Sequence, residues 1–115
     1  MKILLNNIDL NEALFDNLNI GFVPTMGSLH KGHISLIKKS LKLSNKTIVS
    51  IFINPKQFNN KEDYKKYPRN IKKDLKILKK LKVNYVFLPN KKDIYNFERK
   101  IKLAKKDRIL SLFNS

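Results

Sequence analysis

Seven consecutive residues, Thr47-Ile48-Val49-Ser50-Ile51-Phe52-Ile53, constrain the fold more than any other stretch of the chain. They are almost continuously apolar and mostly β-branched. A half-wet strand alternates; a run without alternation suits a central parallel strand covered on both faces. Asn54-Pro55 stops it, because proline cannot continue a hydrogen-bonded ladder. Two shorter runs flank it: Ile20-Gly21-Phe22-Val23, closed by Pro24, and Val83 to Leu88, closed by Pro89. Between these runs the period turns helical. From about Leu29 to Leu43, Ile34, Ile37 and Leu41 share a face, with Leu36 and Leu43 beside it, and Ser44-Asn45 ends the segment. From Arg69 to Leu81, Ile71, Leu75, Leu78 and Leu81 lie on one side. The other side carries Lys72, Lys73, Lys76, Lys79, Lys80 and Lys82. Asn11 to Leu18 reads as a short opening helix, capped by Asp9 or Asn11 and ended by Asn19, with Leu10, Leu14 and Leu18 recurring four apart. Lys56 to Pro68 reads as a polar loop with room for a turn of helix.

The order strand, helix, strand, helix, strand predicts an α/β fold with right-handed crossovers and a parallel sheet. Ligands of such sheets bind beyond the carboxyl ends of the strands. Two segments fall there: Pro24 to His33, and Asn54 to Phe58.

A chain of 115 residues, 42% of them hydrophobic, suits one globular domain. It has no cysteine, which excludes disulfides and cysteine-ligated zinc and fits a reducing, cytoplasmic setting. Met1 to Leu14 is broken by polar residues and is no signal-peptide core. No apolar run approaches the ~20 residues that span a bilayer, so no membrane partner is expected. The net charge is +16. That balance admits a small basic module for nucleic acid, with steeply salt-dependent binding. Against it, only three of the 25 cations are Arg, the residue best suited to bidentate phosphate and base contacts. A Lys-, Asn- and Ile-rich composition is also what AT-rich coding gives. The favoured reading is solvated lysine faces and no specific nucleic acid.

In Val23-Pro24-Thr25-Met26-Gly27-Ser28-Leu29-His30-Lys31-Gly32-His33 a strand ends, a glycine permits a tight turn and a helix begins. A helix N-terminus offers free N–H groups and partial positive charge, which suits a phosphate. His30 and His33, three apart, project to one side, and Gly32 between them leaves room for a ligand to approach. Two imidazoles beside a polyphosphate can donate hydrogen bonds to charge developing on phosphoryl oxygens. No carboxylate accompanies them in the segment, so stabilisation of charge is favoured over proton abstraction. Taken alone, His-x-Gly-His is as readily two surface histidines; its place after a strand and a Pro-Thr-Met-Gly turn favours the site. Zinc would want more ligands than lie nearby. Asn54-Pro55-Lys56-Gln57-Phe58 offers the amides of Asn54 and Gln57, which suit carboxylate and hydroxyl groups. By itself this stretch would be an ordinary loop with a proline stop. In Glu62-Asp63-Tyr64-Lys65-Lys66-Tyr67-Pro68-Arg69 an aspartate, tyrosines and one Arg could flank a mouth or a partner surface, but the segment reads mainly as a solvated loop leading into a helix.

Taken together, these segments resemble the pantothenate synthetase (pantoate–β-alanine ligase) family. Gly21 to Gly27 running into His30-Lys31-Gly32-His33 is similar to its ATP signature. Val49 to Phe58 is similar to its second signature, and Glu62-Asp63, Tyr67-Pro68-Arg69, Asp74-Leu75 and Val86-Phe87-Leu88-Pro89 continue the likeness in order. The resemblance implies a Rossmann-like parallel sheet of the HxGH nucleotidyltransferase type. It also implies a two-step reaction. ATP and pantoate give pantoyl adenylate and pyrophosphate; β-alanine then attacks to give pantothenate and AMP, with Mg2+ accompanying ATP. On that likeness Met26, Gly27, Ser28, Leu29, His30, Lys31, Gly32 and His33 line the ATP site, His30 and His33 are catalytic, and His33 is the proton donor. Gln57 holds pantoate near β-alanine, with Pro24, Thr25 and Asn54 beside the substrate, and the family associates as a homodimer through this half. Another HxGH nucleotidyltransferase is the alternative, against which Asn54 to Phe58 speaks. Family members are more than twice this long. Their later Gly…Lys-Asp segment, lysine-methionine-serine loop and small C-terminal domain have no counterpart here, although Lys105 to Leu110 faintly resembles the approach to the next segment. The expectation is therefore a truncated chain with little turnover of its own. Residues 1–90 would form a partial ATP- and pantoate-binding domain, and 91–115 a basic, interrupted continuation.

Overall fold

The computed structural model describes residues 1–15, 19–90 and 92–93. The unbroken apolar run forms β3, Lys46–Ile51, which lies inside a four-stranded sheet. The other strands are β1 (Lys2–Leu4), β2 (Ile20–Thr25) and β4 (Tyr85–Phe87), and the spatial order is β1-β4-β3-β2 with every pair parallel. Four helices connect them: α1 (Asn7–Leu14), α2 (Lys31–Leu43), α3 (Lys61–Lys66) and α4 (Ile71–Lys80). A 3-10 turn, Pro55–Gln57, follows β3.

Strand order and crossover hand together assign the helices to faces. Going β2 to β3 to β4 the chain steps one way across the sheet; going β1 to β2 it steps back the other way. Right-handed crossovers in opposite directions place their helices on opposite faces. Accordingly α1 packs Leu10 and Ala13 with Leu4, Ile20, Phe22, Ile48 and Phe87 on one face. Helices α2 and α4 supply Ile37 and Leu78 to a second core with Val23, Val49, Ile51 and Val86 on the other. Successive strand residues alternate between the two cores, as the pleat requires. Gly21 sits where α2 comes closest, since a Cβ there would run into the Ser40 and Ser44 hydroxyls. Ser40 Oγ in turn shares a buried 2.7 Å hydrogen bond with Thr47 Oγ1.

Several expectations are corrected. The opening helix begins at Asn7, not Asn11, and Asn6 is its cap: Asn6 Oδ1 accepts from the Asp9 N–H at 2.9 Å. It ends at Leu14, and Leu18 lies outside the described residues. Strand β1, only three residues long, has too little sequence for a period to register. Pro24 does not close β2 but lies inside it. Thr25 C=O accepts from the Phe52 N–H at 3.0 Å, so Thr25 faces β3 and Pro24, one residue earlier, faces the free edge. There its missing N–H removes no ladder bond. Helix α2 starts at Lys31 with His30 as cap. Helix α4 starts at Ile71 with Asn70 as cap, and its fully buried positions are Asp74 and Leu78; Ile71 is exposed. The polar loop contains α3. The segment 91–115, apart from residues 92 and 93, lies outside the described residues. Among the described residues no helix is long and apolar enough to cross a membrane.

Candidate functional site

The strands β2, β3 and β4 end at one edge, and the turn after β2 is the most tightly specified segment there. Thr25 Oγ1 donates to Ser50 C=O (3.0 Å) and accepts from the Gly27 N–H (3.2 Å), folding the chain back on the strand end. Gly27 (φ +80°) and Ser28 (φ +50°) both adopt left-handed backbone. At Gly27 a Cβ would also stand 3.0 Å from Asp74 Oδ2, so glycine is needed for conformation and for space. Ser28 bears the left-handed penalty of an L-residue and is held from α4 and its approach. Its N–H donates to Asp74 Oδ2 (2.9 Å) and its hydroxyl to Pro68 C=O (3.1 Å). The Leu29 N–H donates to Asp74 Oδ1 (3.0 Å), while the Leu29 side chain is buried in the α2/α4 core.

The two histidines then cap α2 on each other. His30 Nδ1 accepts from the Gly32 N–H (3.0 Å), and His33 Nδ1 accepts from the His30 N–H (3.2 Å). This is the reciprocal logic of a capping box, with imidazoles in place of hydroxyl and carboxylate. The rings lie 4.0 Å apart at 40°. A Cβ on Gly32 would fall 2.9 Å from His30 Cε1, so the glycine makes room for the His30 ring itself. A ring whose Nδ1 accepts carries its proton on Nε2. The hydrogen-bond pattern thus assigns both imidazoles the neutral Nε2–H form. Partial burial, reinforced by His30, holds His33 below the ordinary histidine range, with Asp74 pulling the other way. The N–H groups of Ser28, Leu29, His30 and Gly32 are therefore all engaged within the chain. The donors left for a ligand here are imidazole Nε2–H groups more than helix-terminal amides.

His30 and His33 line a cavity of about 420 Å³ with Thr25, Met26, Gln57 and Tyr67. Gln57 reaches it from the 3-10 turn, which Asn54 caps by accepting from the Lys56 N–H at 3.0 Å. Tyr67 arrives from the end of α3. Arg69 donates to the carbonyls of Tyr64 (2.8 Å), Tyr67 (2.9 Å) and Lys65 (3.2 Å) and stacks over the Tyr64 ring at 4.9 Å. Phe58 packs edge-on against Tyr64 and Tyr67 at 5.6 and 5.5 Å. These contacts tie the 3-10 turn to α3. A second cleft of about 430 Å³, lined chiefly by apolar residues such as Ile51, Phe52, Ile53 and Leu88, adjoins the first and shares Met26 with it.

Of the residues singled out from sequence, Thr25, Met26, His30, His33 and Gln57 come together at this cavity. Pro24 lies in β2, Gly27 and Ser28 form the turn behind it, and Leu29 is core. Lys31 and Gly32 are exposed in the first turn of α2, and Asn54 is engaged in its cap. Two residues that the sequence reading does not favour for the site also bear on it. Tyr67 stands in a segment read as solvated loop. Asp74, three after Ile71 and four before Leu78, shares the apolar side of α4, but nothing in the sequence supplies an aspartate there with a partner. The missing carboxylate is thus supplied from 45 and 46 residues away in sequence, and it binds backbone rather than imidazole.

A parallel α/β sheet with helices on both faces and a cavity at its carboxyl edge defines a Rossmann-like domain. A sequence model of the Pantoate-beta-alanine ligase family matches residues 4–111, and the chain belongs to that family. The pantothenate synthetase of Francisella philomiragia is 50% identical over 97 residues, covering 81% of this chain and 37% of the relative. That of Endomicrobium trichonymphae is 50% identical over 104 residues, covering 87% and 37%. Among solved structures, the Francisella tularensis pantoate-beta-alanine ligase, complexed with beta-gamma ATP and beta-alanine, aligns with TM-score 0.75 and 48% identity over 84% of this chain and 38% of that one. The Thermus thermophilus enzyme aligns with TM-score 0.73 and 35% identity over 81% and 33%. The chain therefore spans 33–37% of the length of the curated relatives it matches.

Proposed function

We propose that this chain forms the nucleotide- and pantoate-binding part of an ATP-dependent, AMP-forming ligase that joins pantoate to β-alanine. The observation that carries the reading is that His30, His33 and Gln57 line one cavity at the carboxyl edge of the sheet. In the first step a pantoate carboxylate oxygen attacks the α-phosphorus of ATP. The α–β phosphoanhydride bond breaks, and pyrophosphate leaves with the electron pair. Negative charge grows on phosphoryl oxygens, and the Nε2–H groups of His30 and His33 are donors already oriented for it, so little reorganisation is needed at the transition state. Proton donation to the leaving group by His33 is a secondary description of the same contact. In the second step the β-alanine amine attacks the acyl carbon of the adenylate, AMP departs and the amine loses a proton. The Gln57 amide, with both donors and an acceptor, suits pantoate's carboxylate and hydroxyls; the Tyr67 hydroxyl is a further partner.

Magnesium that accompanies a nucleotide is held largely by phosphates and water. Among the described residues no cluster of three His, Asp or Glu groups offers it a protein ligand set, and both Asp74 oxygens accept backbone N–H groups. Residues 1–90 form the ATP- and pantoate-binding unit in this reading. Association as a homodimer belongs to it too, and the β1–α1 segment exposes Ile3, Leu5, Ile8 and Phe15.

The test is a titration of the 115-residue chain with ATP and pantoate, followed by His and Gln side-chain NMR signals. ATP is expected to shift the His30 and His33 imidazole signals, and pantoate that of Gln57. Shifts confined to surface lysines would overturn the reading. Sedimentation of the same samples reads the dimer.

A further inference from the structure

The turn that carries the histidines is held by one side chain from a distant element. Asp74 lies in the first turn of α4, is 3% exposed, and has its two carboxylate oxygens on two successive amides, Ser28 and Leu29. Charge-assisted bonds of this kind are roughly twice as strong as neutral ones. They fall where local backbone preference is weakest, beside the left-handed Gly27 and Ser28. Gly27 leaves just enough room for the carboxylate, and Ser28 Oγ adds a second tie to Pro68. His30 follows at once, and its N–H and ring nitrogen set the position of both imidazoles. The chain of support therefore runs from carboxylate to turn to rings.

We propose that Asp74 is a positioning residue of this site: through the N–H groups of Ser28 and Leu29 it fixes the turn that aims the His30 and His33 imidazoles into the cavity. It touches backbone and no reacting group. The consequence for nucleotide binding rests on the proposed ATP reading; the geometric claim does not.

Two measurements test it on the 115-residue chain. In the unmutated protein, trans-hydrogen-bond NMR couplings are expected from the Ser28 and Leu29 amide nitrogens to the Asp74 carboxyl carbon; their absence overturns the proposal without any variant. Asp74→Asn keeps the shape but turns an amide NH2 toward a backbone N–H, so at least one bond is lost. At a temperature well below its unfolding midpoint this variant is expected to lose the Nε2–H tautomer pattern of both histidines in long-range 1H–15N spectra. ATP is expected to bind it about tenfold more weakly, and Asp74→Glu to recover part of both. A merely structural aspartate would lower the midpoint and leave the tautomer pattern intact, and that result overturns the proposal. Should the unmutated chain bind no ATP, the ligase reading fails, while the tautomer pattern still decides the role of Asp74.

Discussion

His33 both caps a helix and faces a cavity, and the two duties separate on substitution. Glutamine at the third helical position of a capping box accepts the same backbone N–H, so His33→Gln is expected to keep the stability of the unmutated chain at neutral pH. His33→Ala loses the cap and about 1 kcal/mol. The pH dependence follows from the lowered His33 pKa. The unfolded chain takes up the proton near pH 6.5, about the ordinary value, while the folded chain resists until lower pH. Stability from the neutral ring is then complete above the unfolded value and is lost as pH falls through the folded one. Urea unfolding without nucleotide, between about pH 7 and pH 5, is expected to show a steeper acid loss for the unmutated chain than for His33→Gln. Equal slopes would mean that another group carries the effect. The His-x-Gly-His spacing was legible in the sequence. That each ring would accept an N–H through Nδ1 was not, because it depends on the dihedrals of the turn. Gly32 reads in sequence as room for a ligand; in the fold the His30 ring takes that room.

Helix α2 docks on β2 through Gly21, so the packing of this pair hinges on an absent side chain. Gly21→Ala drives a methyl into the Ser40 and Ser44 hydroxyls, and overpacking of this sort costs about 1–3 kcal/mol. Ser40→Ala removes the nearest obstacle and the Thr47 partner together. In a double-mutant cycle by denaturant unfolding the two substitutions are expected to be less destabilising together than their sum. Strict additivity would show that α2 moves aside instead. The elements most legible in the sequence were β3 and α2, where a long run or a clean 3.6 period leaves one interpretation. Strand β1 and the role of Asp74 on α4 were not legible, although the apolar side of α4 was: Leu78 is core and Leu75 and Leu81 pack against it. Three residues carry no period, and Asp74 enters the core only because a turn 46 residues earlier presents two amides to it.

A net charge of +16 on 115 residues opposes compaction by self-repulsion. Raising ionic strength shortens the reach of that repulsion to a few ångströms. Thermal unfolding is expected to shift upward by about 5 °C between low and high salt, equivalent to about 1 kcal/mol for a domain of this size. A midpoint indifferent to salt would show that the lysines are already far enough apart for water to screen them. Sheet order gathers the site. Because β2, β3 and β4 run parallel, the segments after them share one edge, and Gln57 meets His30 and His33 across 24 to 27 positions of sequence.

Local patterning alone determined the α/β class, the order of the main strands and helices, and which segments follow β2 and β3. Hydrophobic period is written within a few residues and needs no partner. Tertiary structure decided what depends on strand order and crossover hand: that Pro24 lies on a free edge, that Tyr67 joins the cavity, and that the carboxylate of Asp74 holds the turn. Those outcomes join residues tens of positions apart. Their spacing in the chain carries no trace of the contact, because the sheet sets the distance between them.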